Sequence, residues 1–291
     1  MLQFEDTSPI QPFKEIVAYE ALWADKKTTF KSLSTLFAKY PNSRPSDFVE
    51  GNKISDLYDE IKKIVFEANY KTSLLINGTF DYPEKLKDAE EPVELLYYTG
   101  ILEYLRTRCI AIVGTRKPSA AALTVTDQMV TKLVKDDFTI VSGLAAGIDT
   151  QAHKSTLAAR GRTIAVLGTP LNKVYPKENS DLQDIIAKEH LLISQVPFYR
   201  YTLQNYLLNK LFFLERNKTM SALTEATLIV EAGEKSGSIT QGAAALKQKR
   251  KLFIWDGCFN NPEITWPQRF LEQGAIRVKT YEDIKDALNT K

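Results

Sequence analysis

Residues 109–114 read Cys-Ile-Ala-Ile-Val-Gly, and the same texture returns as FTIVSG at 138–143, TIAVLG at 163–168, LLISQV at 191–196, ATLIVEAG at 226–233 and KLFIW at 251–255. Each run is short for a helix, and several close on a glycine. Amphipathic stretches such as AALTVTDQMVTKLVKDD (121–137) separate most of them. Runs apolar at every position belong to strands buried on both faces, and helices between them supply the crossovers of a parallel sheet. The fold class that follows is α/β, a doubly wound, mostly parallel, Rossmann-like sheet of about six strands. In such a sheet ligands sit outside the carboxyl ends of the strands, near the point where strand order reverses. The loops after these runs are therefore where function is to be sought.

The front of the chain has another texture. PFKEIVAYEALW, TTFKSLSTLFAKY and SDLYDEIKKIVFEANYKTSLLIN place apolar groups at helical spacing, and PNSRPSD and EGNK separate the second from the third. Asp25 and Ser46 are candidate N-caps. Residues 1–78 thus read as a small helical module, and residues 79–291 as an extended Rossmann-like unit. NGTFDYPEKLKDAEEPVELLYYTG (77–100), with its prolines and Gly100, reads as an extended connection between them.

The chain has 291 residues, 38 Lys+Arg and 36 Asp+Glu, for a formal charge of +2, which excludes a histone-like electrostatic glue. By segment the balance is uneven: residues 1–78 hold 10 basic and 11 acidic side chains, 79–105 hold 2 and 7, and 106–291 hold 26 and 18. A basic rear unit permits a polyanion partner without requiring one. No apolar run approaches the roughly 20 residues that span a bilayer, and the first residues are acidic rather than signal-like, so a cytoplasmic protein without a membrane partner is expected. Two cysteines, Cys109 and Cys258, are too few for a disulfide scaffold or a zinc site and read as buried thiols. No metal or cofactor is expected.

Gly114-Thr115-Arg116-Lys117-Pro118-Ser119 leads into a helix whose free N–H groups, with Arg116, Lys117 and a Ser119 cap, suit an anion; the full dinucleotide fingerprint is missing. Ser142-Gly143-Leu144-Ala145-Ala146-Gly147 allows close backbone approach, to a ligand or to a neighbouring helix, with Asp149 or Thr150 as cap of the helix bearing His153. Gly168 opens a polar turn with Lys173, Tyr175 and Lys177. In Lys210-Leu211-Phe212-Phe213-Leu214-Glu215-Arg216-Asn217-Lys218, cations alternate with rings, as single-stranded nucleic acid requires: charge for phosphates and a ring face for an unstacked base. Ser236-Gly237-Ser238 is a further helix N-terminus able to hold a phosphate or a base edge, and its surroundings lack Walker spacing.

In order, GTRKPSA (114–120), IVSGLAAGIDTQAHKSTLAARGRTIAVLGTPLNKVYPKEN (140–179), FFLERNKTMSAL (212–223) and LIVEAGEKSGSITQGAAAL (228–246) strongly resemble the DNA-processing protein A family (DprA, also called Smf), over roughly residues 80–280. The resemblance implies an extended Rossmann-like fold, a non-enzymatic homodimer that binds and protects single-stranded DNA, and delivery of that DNA to the RecA recombinase in natural transformation. Its Arg falls on Arg116, and its basic, Phe, Arg and Asn positions on Lys210, Phe213, Arg216 and Asn217, with Lys218 in place of a final Arg. Ser194-Gln195 stands where the family usually carries Ser-Glu, and Leu214 where it usually carries Pro. A C-terminal winged-helix domain is not expected. The alternative is a Rossmann-type binder of a nucleotide derivative, acting as sensor or hydrolase, whose phosphate would meet the same glycine and serine loops.

Overall fold

The apolar runs assemble into one nine-stranded sheet, seen in a computed structural model that describes residues 10–66, 70–87, 89 and 91–289. Helices α1 (Pro12–Ala24), α2 (Phe30–Lys39) and α3 (Gly51–Phe66) come first, followed by strand β1 (Ser73–Ile76), the one-turn α4 (Glu84–Lys87) and β2 (Leu95–Gly100). The alternating part runs β3 (Cys109–Val113), α5 (Ala120–Lys135), β4 (Thr139–Ser142), α6 (Ile148–Ala158), β5 (Thr163–Leu167), α7 (Ser180–Glu189) and β6 (Leu191–Ser194). Then come α8 (Phe198–Leu203), α9 (Tyr206–Asn209), α10 (Leu211–Leu223), β7 (Ala226–Ile229), α11 (Gly237–Lys247), β8 (Lys251–Trp255), α12 (Trp266–Glu272), β9 (Ile276–Val278) and α13 (Tyr281–Asn289). The sheet order is β1-β2-β6-β5-β4-β3-β7-β8-β9. From β6 to β9 all pairings are parallel; β1 and β2 are antiparallel additions at one edge.

Each strand of the central sheet feeds two cores. Ile110 and Ile112 of β3 face Met129, Val130 and Leu133 of α5 and Ile284 of α13, while Ala111 and Val113 turn to the other face, as the two-residue period of a strand dictates. All five β3 residues are buried, and each fully buried Ile contributes ~1.5–3 kcal/mol relative to exposure. On the second face the front helices share a core with the sheet. Trp23 of α1 lies edge-on to Phe212 of α10 at 6.1 Å between ring centroids. Buried Glu20 accepts from the Phe198 and Tyr199 amides at 2.9 and 2.8 Å and from the Tyr97 hydroxyl, fastening α1 to β2 and to the start of α8.

The six runs that define the α/β class are all strands, and the helical front is present. Three strands were not anticipated. SLLI, read as the tail of a helix, is β1; the connection ending in LLYYTG carries β2; and IRV near the end is β9. The sheet therefore begins before residue 78. The helical stretch read across 55–77 is the later part of α3 followed by β1, and residues 67–69 between them lie outside the described residues. The cap of α2 is Thr29, Asp25 closes α1, and Ser46 binds the Glu15 carboxylate instead of capping. Cys109 and Cys258 are free and buried, and no helix among the described residues is long and apolar enough to cross a membrane.

Candidate nucleic-acid interface

Strand β3 lies between β4 and β7, so successive crossovers leave it in opposite directions and a crevice opens at the carboxyl ends of β3 and β7. A groove of about 760 Å³ occupies this crevice. Its walls are the loop after β3 (Gly114–Lys117), the loop after β7 with the start of α11 (Gly233–Ser238 and Gln241), and the α9–α10 segment, which brings Tyr206, Lys210 and Phe213. Backbone contacts lock these loops to one another. The Thr115 amide donates to Glu231 O at 2.6 Å, and Thr115 O accepts from the Ile148 amide at 3.2 Å. The Ser238 hydroxyl donates to Gly114 O at 3.0 Å. Gly147, at φ +82°, permits this: a Cβ there would lie 2.3 Å from Thr115 O.

Arg116 and Lys117 from one wall and Lys210 from another are exposed at the rim, and Lys235 adds a further exposed cation. Lys210 Nζ stands 4.5 Å from the centroid of the Tyr206 ring, its stem laid along an aromatic that sequence reasoning did not single out. Phe213 is half-buried, edge-on to Tyr175 at 5.4 Å, and rests against Gly168, where a Cβ would come within 2.4 Å of the ring. Gly168 thus seats the ring, and it is not itself among the residues that border the groove.

Arg216 points elsewhere. It is 5% exposed, and its guanidinium donates to Gly143 O at 2.7 Å, Val166 O at 2.6 Å and Asn217 Oδ1 at 3.0 Å. A Cβ on Gly143 would fall 2.1 Å from Nη1, so that glycine is the slot for the guanidinium. Asp149 does not cap α6, whose N-cap is Gly147. Its carboxylate accepts from the Gly143 amide at 3.1 Å; burial pushes its pKa up to about 6 against the pull of Arg216, and burial likewise lowers that of Arg216. Asn217 donates to Gly237 O at 3.1 Å. Arg216 and Asn217 border the groove floor, but their donors hold β4, β5 and α11 together.

Lys218, Ser142, Ser119 and His153 stand away from the groove, whereas Ser236 borders it. Lys218 lies on another side of α10, paired with Glu91 at 3.2 Å and Glu215 at 3.0 Å. It borders a second cavity, of about 430 Å³, together with Gln195, which accepts from the Thr219 hydroxyl. Ser142 is buried and donates to Ile112 O, and Ser119 caps α5. Ser236 caps α11 within the groove wall. His153 is fully buried with Nδ1 on the Thr163 hydroxyl at 2.7 Å; burial drives its pKa down to about 3, so it is a neutral structural ring. Tyr201, Tyr206, Asn209, Lys235 and Gln241 border the groove without having been picked out. Gln241, one helical turn past Gly237, was legible from i, i+4 spacing, whereas the α8–α9 residues carried no motif.

An open α/β sheet with a loop-walled groove at its switch point, cations at the rim and rings on one side, defines a Rossmann-like protein equipped for an anionic, ring-bearing ligand. The chain belongs to the DNA recombination-mediator protein A family, whose model matches residues 73–289. It is 33% identical over 241 residues to DNA processing protein DprA of Bacillus subtilis, covering 81% of this chain and 78% of that protein. The X-ray structure of DNA processing protein A from Streptococcus pneumoniae superposes with a TM-score of 0.74 at 24% identity, over 98% of this chain and all of that one. A structure of DNA processing protein A from Helicobacter pylori, which concerns that protein's single-stranded DNA binding mode, gives a TM-score of 0.64 at 28% identity, over 76% of this chain and 96% of that one.

Proposed function

We propose that this protein binds single-stranded DNA in the switch-point groove, as a mediator of recombination and transformation rather than an enzyme. The observation that carries the reading is the meeting, in one groove, of exposed Arg116, Lys117 and Lys210 with the half-buried ring of Phe213. The cations meet phosphates and release their counterions, and the ring takes the face of an unstacked base. Gly114, Thr115, Ser236, Gly237 and Ser238 form the close wall, while Arg216 and Asn217 hold its shape. The sheet unit from residue 73 onward acts as the binding unit and the front helices as its buttress, through Glu20 and Trp23. The family relationship and the DNA-binding mode of the Helicobacter pylori relative support this reading. A homodimeric protein in the cytoplasm, handing DNA to RecA, is the finer form of the proposal; stimulation of RecA on strands coated with single-strand-binding protein measures it.

Fluorescence anisotropy with oligo-dT at two salt concentrations tests the groove. Arg116→Ala and Phe213→Ala should each weaken binding, with a shallower salt slope for Arg116→Ala alone. Affinity unchanged in both variants refutes the reading. A second reading, a nucleotide-derivative binder, draws on the groove volume of about 760 Å³, which is that of a small-ligand pocket. A thermal shift with mononucleotides that exceeds the shift with oligo-dT would favour it.

A further inference from the structure

The floor of the groove holds a donor with nothing to donate to. Gln241 is 1% exposed, yet its amide nitrogen lacks a hydrogen-bond partner. Among the described side chains bordering the groove it is the one buried nitrogen in that condition. Buried polar atoms are nearly always paired, so an orphan at a ligand groove marks a place that a ligand completes. The neighbours do not relieve it. Arg216 is committed to Gly143 O, Val166 O and Asn217, Asn217 Nδ2 to Gly237 O, and the Ser238 hydroxyl to Gly114 O.

The surroundings select what can fill the position. The uncommitted positive charge of the groove, on Arg116, Lys117, Lys210 and Lys235, is exposed at the rim, where phosphates keep part of their hydration. The buried part of the groove lining, to which Gln241 belongs, also includes apolar Val113 and Met220. A phosphate driven there would shed its water with no free cation in reach, whereas a flat ring with a carbonyl on its edge leaves little unpaired. Gln241 also lies in the first turn and a half of the eleven-residue α11, whose N-terminal end adds partial positive charge toward a carbonyl oxygen.

We infer that Gln241 reads the edge of a base held in the groove, donating its free amide hydrogen to a ring carbonyl, so that keto bases such as thymine are favoured over adenine. This rests on the groove being the site of single-stranded DNA. The test compares wild type with Gln241→Met and Gln241→Leu, two apolar side chains of similar size, each verified as folded by its thermal melt. Anisotropy is read with oligo-dT and oligo-dA of equal length at two salt concentrations. Affinity for oligo-dT should fall about tenfold, the worth of one hydrogen bond, while affinity for oligo-dA changes less than about twofold and both salt slopes stay as they were. An equal fall for both oligonucleotides overturns the carbonyl assignment, and a slope reduced by about 1 places Gln241 on a phosphate instead. If neither affinity moves while Arg116→Ala still weakens binding, the inference fails and the groove reading stands. If wild type binds neither oligonucleotide, the groove reading fails and takes this inference with it.

Discussion

Replacing Arg216 with Met should damage the fold far more than it damages DNA contact. The guanidinium is 5% exposed and donates to two buried backbone carbonyls, Gly143 O at 2.7 Å and Val166 O at 2.6 Å. Hydrogen bonds to a charged donor contribute ~1.5–3 kcal/mol each, so losing the two gives ~3–6 kcal/mol. Asp149, whose carboxylate accepts from the Gly143 amide, also loses the favourable field of the guanidinium. Against a total stability of ~5–15 kcal/mol this is a large share. For a chain of 291 residues it corresponds to a melting temperature lowered by ~5–10 °C. Thermal and urea unfolding followed by circular dichroism measure it, with exposed Arg116→Ala as the variant expected to melt as wild type does. Gly143→Ala should reproduce the defect, because its Cβ would sit 2.1 Å from Nη1. If Arg216→Met melts within about 1 °C of wild type and its DNA affinity loses about one unit of salt slope, the guanidinium faces DNA and the structural role given to it is wrong.

Gly168→Ala should tilt Phe213 from its seat, since the new Cβ would lie 2.4 Å from the ring, and should lower oligo-dT affinity about as much as Phe213→Ala; normal affinity in the first with loss in the second would show that the ring does not need that seat. Lys210→Ala is expected to reduce the salt slope of binding by about 1, and Lys218→Ala to leave it unchanged because its ammonium is held by Glu91 and Glu215; the reverse ranking refutes the division of cations drawn above. Glu20, whose pKa burial lifts to about 7, is protonated more readily folded than unfolded, so its contribution is complete below about pH 4.5 and is lost as pH rises through 7. Relative to Glu20→Gln, wild type should therefore lose on the order of 3 kcal/mol of unfolding free energy between pH 4 and 8, and a difference that is flat with pH refutes it.

Much of the fold was legible because strands buried on both faces leave no polar position to blur them: CIAIV, TIVS, TIAVL, LLIS, ATLI and KLFIW are each strands. β1 escaped because SLLI continues the apolar spacing of the helix before it, and four residues at a sheet edge are too few to establish a period of two. β2, with Tyr97 turned into the core and Tyr98 less buried, carried strand-like residues behind a proline-rich approach that read as a connection. In the candidate site, Arg116, Lys117, Lys210 and Phe213 were found by chemistry, since cations beside rings are recognisable along a chain. The inward turn of Arg216 was not, because its partners Gly143 and Val166 are remote in sequence and offer only backbone oxygen. Lys218 was misplaced for a simpler reason: five residues after Phe213, a helix has turned it to another side.

The loops around the groove are already tied to one another through Thr115, Glu231, Ile148, Ser238 and Gly114 before any ligand arrives. The walls built by the loops after β3 and β7 therefore offer a ligand a main chain already fixed, and what must settle there are the rim cations, each of which gives up ~2 kcal/mol of side-chain freedom at most. Under the proposed binding of single-stranded DNA, capture of a strand is governed by the field of the rim and therefore by ionic strength, and changes in affinity among floor variants should be felt in how long a strand stays.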